Sequence, residues 1–295
     1  MKKILFFIAS VMVFGALSGC ANHSTQTVPV GTIERDTILG VPCCVYLPYD
    51  YSKRAERKQE VFPVLYLQHG MYGSEDDWSN QGDLLHLMDS LLACGAVREM
   101  VVIMPDNFLG SIPPKERQAL MDAPNITPAG EEFDLLNGSA HWSKLTREQE
   151  RAYEMSGYWE KNFPLFMEEA EKRYSISREP KGRAIAGLSM GGFHTMHVSH
   201  YLHGQFSCIG LFSAVILSPT SAEVYDNWQA EVREMMASEP VYWIGMGRED
   251  HLYDQLQEYR LWLEDNNIEY TYYESTGGHT WENWQDYLCR FLKKF

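Results

Sequence analysis

The sequence is poor in cysteine and in positive charge, and it has a single long apolar run. Six cysteines in 295 residues, with no Cys-x-x-Cys pair, argue against a disulfide framework and against a structural zinc site. Besides Cys20 the set is Cys43, Cys44, Cys94, Cys208 and Cys289, an odd count at irregular spacing. Four of the five stand in apolar surroundings, so buried thiols are expected. Lysine and arginine total 25 against 40 acidic residues, giving a net charge of −15. That balance argues against nucleic acid and strongly anionic polymers as partners. The long apolar run, residues 4–17, is too short for a comfortable membrane span. Internal repeats and low-complexity tracts are lacking as well.

What surrounds the apolar run gives it a meaning. Lys2 and Lys3 precede it and Leu17-Ser18-Gly19-Cys20 follows, the layout of a secretory signal. The small-residue tripeptide ending in cysteine is similar to the bacterial lipobox. That likeness implies cleavage before Cys20, lipidation of its thiol, and a membrane partner at the cell envelope, on the outer membrane or the periplasmic face. The competing reading is an ordinary signal with a chance cysteine. Residues 1–19 are then the signal, 20–30 a polar tether, and 31–295 one domain. Loss of Lys2 and Lys3 moves the net charge from −15 to −17.

Within the domain, β-like runs fall at 41–47, 63–68, 100–104, 183–186, 207–212, 241–246 and 269–274. Helical patterns fall at 83–94, 163–174, 193–202, 225–237, 252–265 and 284–292. This alternation predicts an α/β fold, a mostly parallel central sheet with helices on both faces. Residues 31–39 are expected to add an antiparallel edge strand. The rhythm breaks over 107–159, where no strand pattern occurs, so a cap insertion over the site is expected there. Phe108, Phe133, Trp142, Tyr153 and Trp159 are its candidate pocket walls, with simple packing of the cap as the competing role.

Gly187-Leu188-Ser189-Met190-Gly191 lies between an apolar run and a helical pattern. A serine at such a strand-to-helix turn projects its hydroxyl from the end of a sheet. A serine hydroxyl is a poor nucleophile near neutral pH and needs a base and a group to orient that base. Asp250 and His279 each follow an apolar run, in the order serine, acid, histidine. Asp250 competes with a helix N-cap reading and with Glu249 as the acid. Backbone N–H groups for an oxyanion are expected at Met190, after the nucleophile, and at Met71, with Gly70 next, in His69-Gly70-Met71-Tyr72-Gly73. His69 is expected to brace that loop. Trp281, beside His279, is a candidate for lining the site together with Trp142.

His194, His197, His200 and His203 recur every third residue. Each step turns about 60° short of a full circle on a helix, so the first and last face opposite ways. No metal site and no cofactor are expected.

Five segments together, VLYLQHGMYGSEDDW, MPDN, IAGLSMGGFHT, GREDHLYD and GGHTWENWQDYL, resemble the esterase D-like α/β-hydrolases. The likeness runs from about Gly31 to the C-terminus and is nearest to the feruloyl and acetylxylan esterase and tributyrin esterase branch. It implies an α/β-hydrolase fold, Ser189, Asp250 and His279 as the triad, and hydrolysis of small acyl or aryl esters, commonly on plant polysaccharide side chains. The same family includes S-formylglutathione hydrolases, siderophore esterases and mycolyl transferases. Two other readings stand beside hydrolysis: an acyl transferase of the same fold, and a non-catalytic glycan-binding surface lipoprotein.

Overall fold

The computed structural model describes residues 30–123, 144–216 and 228–295. Cys20, Phe133 and Trp142 lie outside the described residues, as do the signal and nearly all of the tether. Eight strands run in chain order as β1 (Thr32–Ile38), β2 (Val41–Leu47), β3 (Val64–Gln68), β4 (Val101–Pro105), β5 (Arg183–Leu188), β6 (Cys208–Phe212), β7 (Val241–Gly247) and β8 (Thr271–Ser275). The helices are α1 (Tyr51–Lys58), α2 (Asp77–Asn80), α3 (Leu84–Ala93), α4 (Asn107–Gly110), α5 (Pro114–Asp122), α6 (Arg147–Glu154), α7 (Tyr158–Arg173), α8 (Met190–Tyr201), α9 (Trp228–Met236), α10 (Tyr253–Asp265) and α11 (Trp281–Leu292).

The strands form one sheet in the order β1-β2-β4-β3-β5-β6-β7-β8. Only β2 opposes the common direction, pairing antiparallel with both β1 and β4. The period-2 geometry of a strand sorts its side chains onto two faces. Cys43, Val45 and Leu47 of β2 join one core, with Val64, Ile103, Ile185 and Ile244, under α7, α8, α9 and α10. Cys44 and Tyr46 join the other, with Leu65, Val102, Ala184 and Trp243, under α3 and α11. Strands β3 to β6 are buried on both sides, which is why they read in the sequence as continuous apolar runs rather than as alternation. The parallel strands bring their C-terminal ends, and the loops that follow them, to one edge of the sheet.

The insertion departs from expectation. Residues 107–112 are buried and belong to the domain, with α4 N-capped by the Asp106 carboxylate, which accepts from Leu109 N at 2.8 Å. Helices α5 and α6 give the segment more regular structure than its sequence suggests, and α7 begins five residues before the periodicity. Phe108 and Trp159 are core residues and not pocket walls. Trp159 packs on Phe163 and Phe166 and donates its indole N–H to Gln68 Oε1 at 2.7 Å. The five cysteines after residue 30 are all free thiols. Cys43, Cys44 and Cys208 are buried, whereas Cys94 is exposed and Cys289 half-buried.

On α6 the Glu154 carboxyl is fully buried, and neither oxygen has a hydrogen-bond partner among the described residues. Burial pushes its pKa up to about 7. The folded state therefore holds this proton more tightly than the unfolded chain. Its contribution to stability is complete below the ordinary value of 4.5 and is lost as pH rises through about 7. Glu154→Gln removes the titration, so thermal unfolding should show a smaller fall in Tm between pH 5 and 8 (on the order of a few degrees) than in the wild-type protein. An identical fall in both proteins would contradict the assignment.

Candidate active site

Ser189 occupies the turn between β5 and α8 with φ 52° and ψ −118°. A residue with a side chain rarely adopts that backbone, and it persists only where the surroundings fix it. Three hydrogen bonds do so. Ser189 N donates to Phe212 O at 2.9 Å, while its carbonyl accepts from Phe193 N at 3.2 Å and Val215 N at 3.1 Å. The flanking glycines leave no room for side chains. A Cβ on Gly187 would stand 2.8 Å from Thr195 Oγ1, and one on Gly191 would meet the backbone of Gln68 and His69. From Gly182 to His200 every residue except Ser189 is buried. Ser189 is thus the one opening between Gly182 and His200.

The loop after β3 closes against this turn. A Cβ built on Gly70 would lie 3.3 Å from Ser189 Cβ, and Met71 packs with Met190, Phe193 and Val215. His69 braces the loop. Asn107 N donates to its Nε2 at 3.2 Å, which leaves the proton on Nδ1 to bond Gly70 O at 2.7 Å. His69 N donates in turn to Asn107 Oδ1 at 3.0 Å. Gly70 O also accepts from Gly73 N at 3.2 Å. In a planar trans peptide, a carbonyl held on one side directs the Met71 N–H to the other.

Strand register carries the site across the sheet. Leu188, Phe212, Gly245 and Tyr273 stand in line on β5, β6, β7 and β8. Beyond this line the β7 and β8 loops interlock. Glu249 N donates to Gly277 O at 3.1 Å, Gly277 N donates to the Glu249 carboxylate, and Asn283 Nδ2 holds Gly278 O at 2.8 Å. Glu249, the rival acid, thereby serves the loop that bears His279. Asp250 accepts from His279 Nδ1 at 2.9 Å to Oδ2 and 3.1 Å to Oδ1. Its Oδ1 also accepts from Leu252 N at 2.9 Å, but the residue at the N-cap of α10 is Leu252 and no side chain caps that helix, so the N-cap reading of Asp250 does not hold. Burial works against charge on Asp250. Hydrogen bonds from His279 and Leu252, with the charge attraction of His279, outweigh it and hold the carboxyl below its ordinary range.

His279 is flanked by two rings. Trp284 lies edge-on at 4.8 Å, and His251 at 4.6 Å with its ring tilted 65°. Trp281 does not make that contact; it packs instead between Trp78 and Trp284, each at 5.2 Å. The histidines of α8 diverge as helix geometry requires. His194 bonds Glu160 at 2.8 Å and His197 and His200 are buried side by side, while His203 lies past the end of α8 and faces Glu234 at 3.8 Å. Among the described residues, the group of three side chains spaced to share a metal ion is Asp250, His251 and His279.

The family model called Esterase matches residues 40–295. The chain belongs to that family. A protein of Xylanibacter ruminicola named endo-1,4-beta-xylanase/feruloyl esterase is 33% identical over 175 residues, 59% of this chain and 20% of that protein. This esterase chain therefore spans about a fifth of that relative's length. Among solved structures, a ferulic acid esterase from Anaeromyces mucronatus aligns with a TM-score of 0.63 at 21% identity, covering 92% of each chain. An S-formylglutathione hydrolase from Staphylococcus aureus aligns with a TM-score of 0.59 at 16% identity, over 90% of this esterase and 94% of that chain. These structural likenesses establish the α/β-hydrolase fold.

Several residues of this esterase site escaped the sequence reading. Trp284, Ser213, His251 and Asn107 carry no motif of their own. Only their place at strand ends, beside residues already singled out, would have drawn attention to them.

Proposed function

We propose that this serine carboxylic-ester hydrolase acts on small acyl or aryl esters, feruloyl or acetyl groups borne on plant polysaccharide, through an acyl-enzyme on Ser189. The observation that carries the reading is a strained serine, half-buried between fully buried neighbours, on the same sheet edge as a histidine locked to a buried carboxylate. The Asp250 contact to Nδ1 keeps the proton on that nitrogen and leaves the Nε2 lone pair to act as base. Ser189 attacks the ester carbonyl while His279 takes its proton. The Met190 N–H, at the start of α8, and the Met71 N–H receive the oxyanion, each donor being worth about 3–4 kcal/mol of barrier. His279 then protonates the departing alcohol, and water repeats the sequence to free Ser189. The named activity of the Xylanibacter relative supports the substrate class.

The lipobox-like Leu17-Ser18-Gly19-Cys20 supports attachment of the mature chain to the cell envelope through Cys20. Labelling with a tagged palmitate should mark the expressed protein and be lost in Cys20→Ser; equal labelling of both would refute the anchor.

Activity on methyl ferulate, acetylated xylan and p-nitrophenyl butyrate tests the chemistry. Ser189→Ala should lower kcat on the best of these by roughly 10⁶-fold, and Asp250→Asn by roughly 10⁴-fold with the fold intact. Unchanged rates in Ser189→Ala would end the proposal, and acyl transfer to an added acceptor alcohol in place of hydrolysis would redirect it.

A further inference from the structure

We propose that Asp250, His251 and His279 form a binding site for a divalent transition-metal ion of the zinc class, and that occupancy of this site switches the enzyme off. The inhibitory half rests on the role given to His279 above; the binding half does not.

Two of the three spacings already suit a metal. Asp250 Oδ1 is 3.1 Å from His279 Nδ1 and 3.6 Å from His251 Nδ1. Tetrahedral zinc with ligand bonds of about 2.0–2.1 Å places its ligand atoms about 3.3–3.4 Å apart. One ligand atom from each of the three residues falls within 4.8 Å of the others, so the remaining histidine–histidine edge needs to close by at most about 1.5 Å. His251 can supply that movement, because its side chain is 68% exposed and its ring rests against His279 without being enclosed. Asp250 is positioned by the Leu252 N–H and His279 by Trp284, so the other two ligands are already fixed. The acidic chain, at −15 overall, favours the approach of a cation.

The donor set of two imidazoles and one carboxylate favours Zn²⁺, Ni²⁺ or Cu²⁺ over Mg²⁺ and Ca²⁺, and leaves a fourth position for water. A metal on His279 Nδ1 takes the lone pair there and displaces the proton that Asp250 holds. The ring stays neutral only with its proton on Nε2. The nitrogen that should accept the Ser189 proton then becomes a donor, and the base is lost without any change in the fold.

Calorimetric titration of ZnCl₂ into the full chain, wild type and His251→Gln, reads binding without reference to activity. The wild type should bind zinc at this site, His251→Gln should weaken that affinity on the order of tenfold or more, as expected for removal of a ligand, and MgCl₂ should give no binding in the same range. Zinc should also inhibit wild-type ester hydrolysis at the concentration that fills the site, with recovery on adding EDTA. Measured against its own metal-free rate, His251→Gln should lose far less activity on adding zinc than the wild type does. Zinc affinity identical in the two proteins, or equal binding of magnesium, would overturn the site. Loss of binding in His251→Gln with no effect of zinc on wild-type hydrolysis would overturn the inhibitory role alone.

Discussion

The close approach of the β3 loop to the start of α8 governs the rest of the structure. The backbone of Gln68 and His69 presses on Gly191, and Gly70 presses on Ser189. Ser189 is left with a backbone that residues bearing side chains avoid, secured by Phe212, Phe193 and Val215. Strain of this kind costs on the order of 1–3 kcal/mol, and the surrounding packing must supply it. Helix α8 is suited to that task, because all eleven residues from Met190 to His200 are buried. The unusual burial of His194, His197 and His200 follows from the same fact, since a helix enclosed on every side has no solvent face for its polar residues. Burial lowers the pKa of His197 well below its ordinary value and that of His200 to about 3, so these two rings are neutral.

Asp250 and Glu154 show how partners decide the fate of a buried carboxyl. Asp250 accepts from His279 and Leu252 and is held below its ordinary range. Glu154 is more deeply enclosed and receives no hydrogen bond among the described residues, and its pKa rises to about 7. Desolvation is the leading opposing influence in both. The difference comes from the deeper burial of Glu154 and from the N–H groups of His279 and Leu252, which serve Asp250 and have no counterpart at Glu154 among the described residues.

Much of this was legible in the sequence. The strands β3 to β7 are apolar runs, and all six from β3 to β8 were placed to within two residues. Ser189, Asp250 and His279 were singled out for the same reason, each standing within four residues of the end of such a run. Helices α1 and α2 were missed because their sequences are polar or only four residues long, and no apolar stripe marks them. Phe108 and Trp159 were misplaced because an aromatic residue carries no label for its direction. Whether it lines a pocket or fills a core depends on partners such as Gln68 that are remote in the chain. The interlock of Glu249 with Gly277 is equally invisible, since it joins loops 28 residues apart.

The central claim is that folding singles out Ser189 and makes its oxygen nucleophilic. Covalent capture tests this most directly: the native protein is incubated with a fluorophosphonate, and the labelled residue is located by peptide mass spectrometry. The account requires one label per chain, on Ser189, and none when the protein is unfolded in denaturant beforehand. A label on any other residue, or a native protein that takes up none, would contradict it.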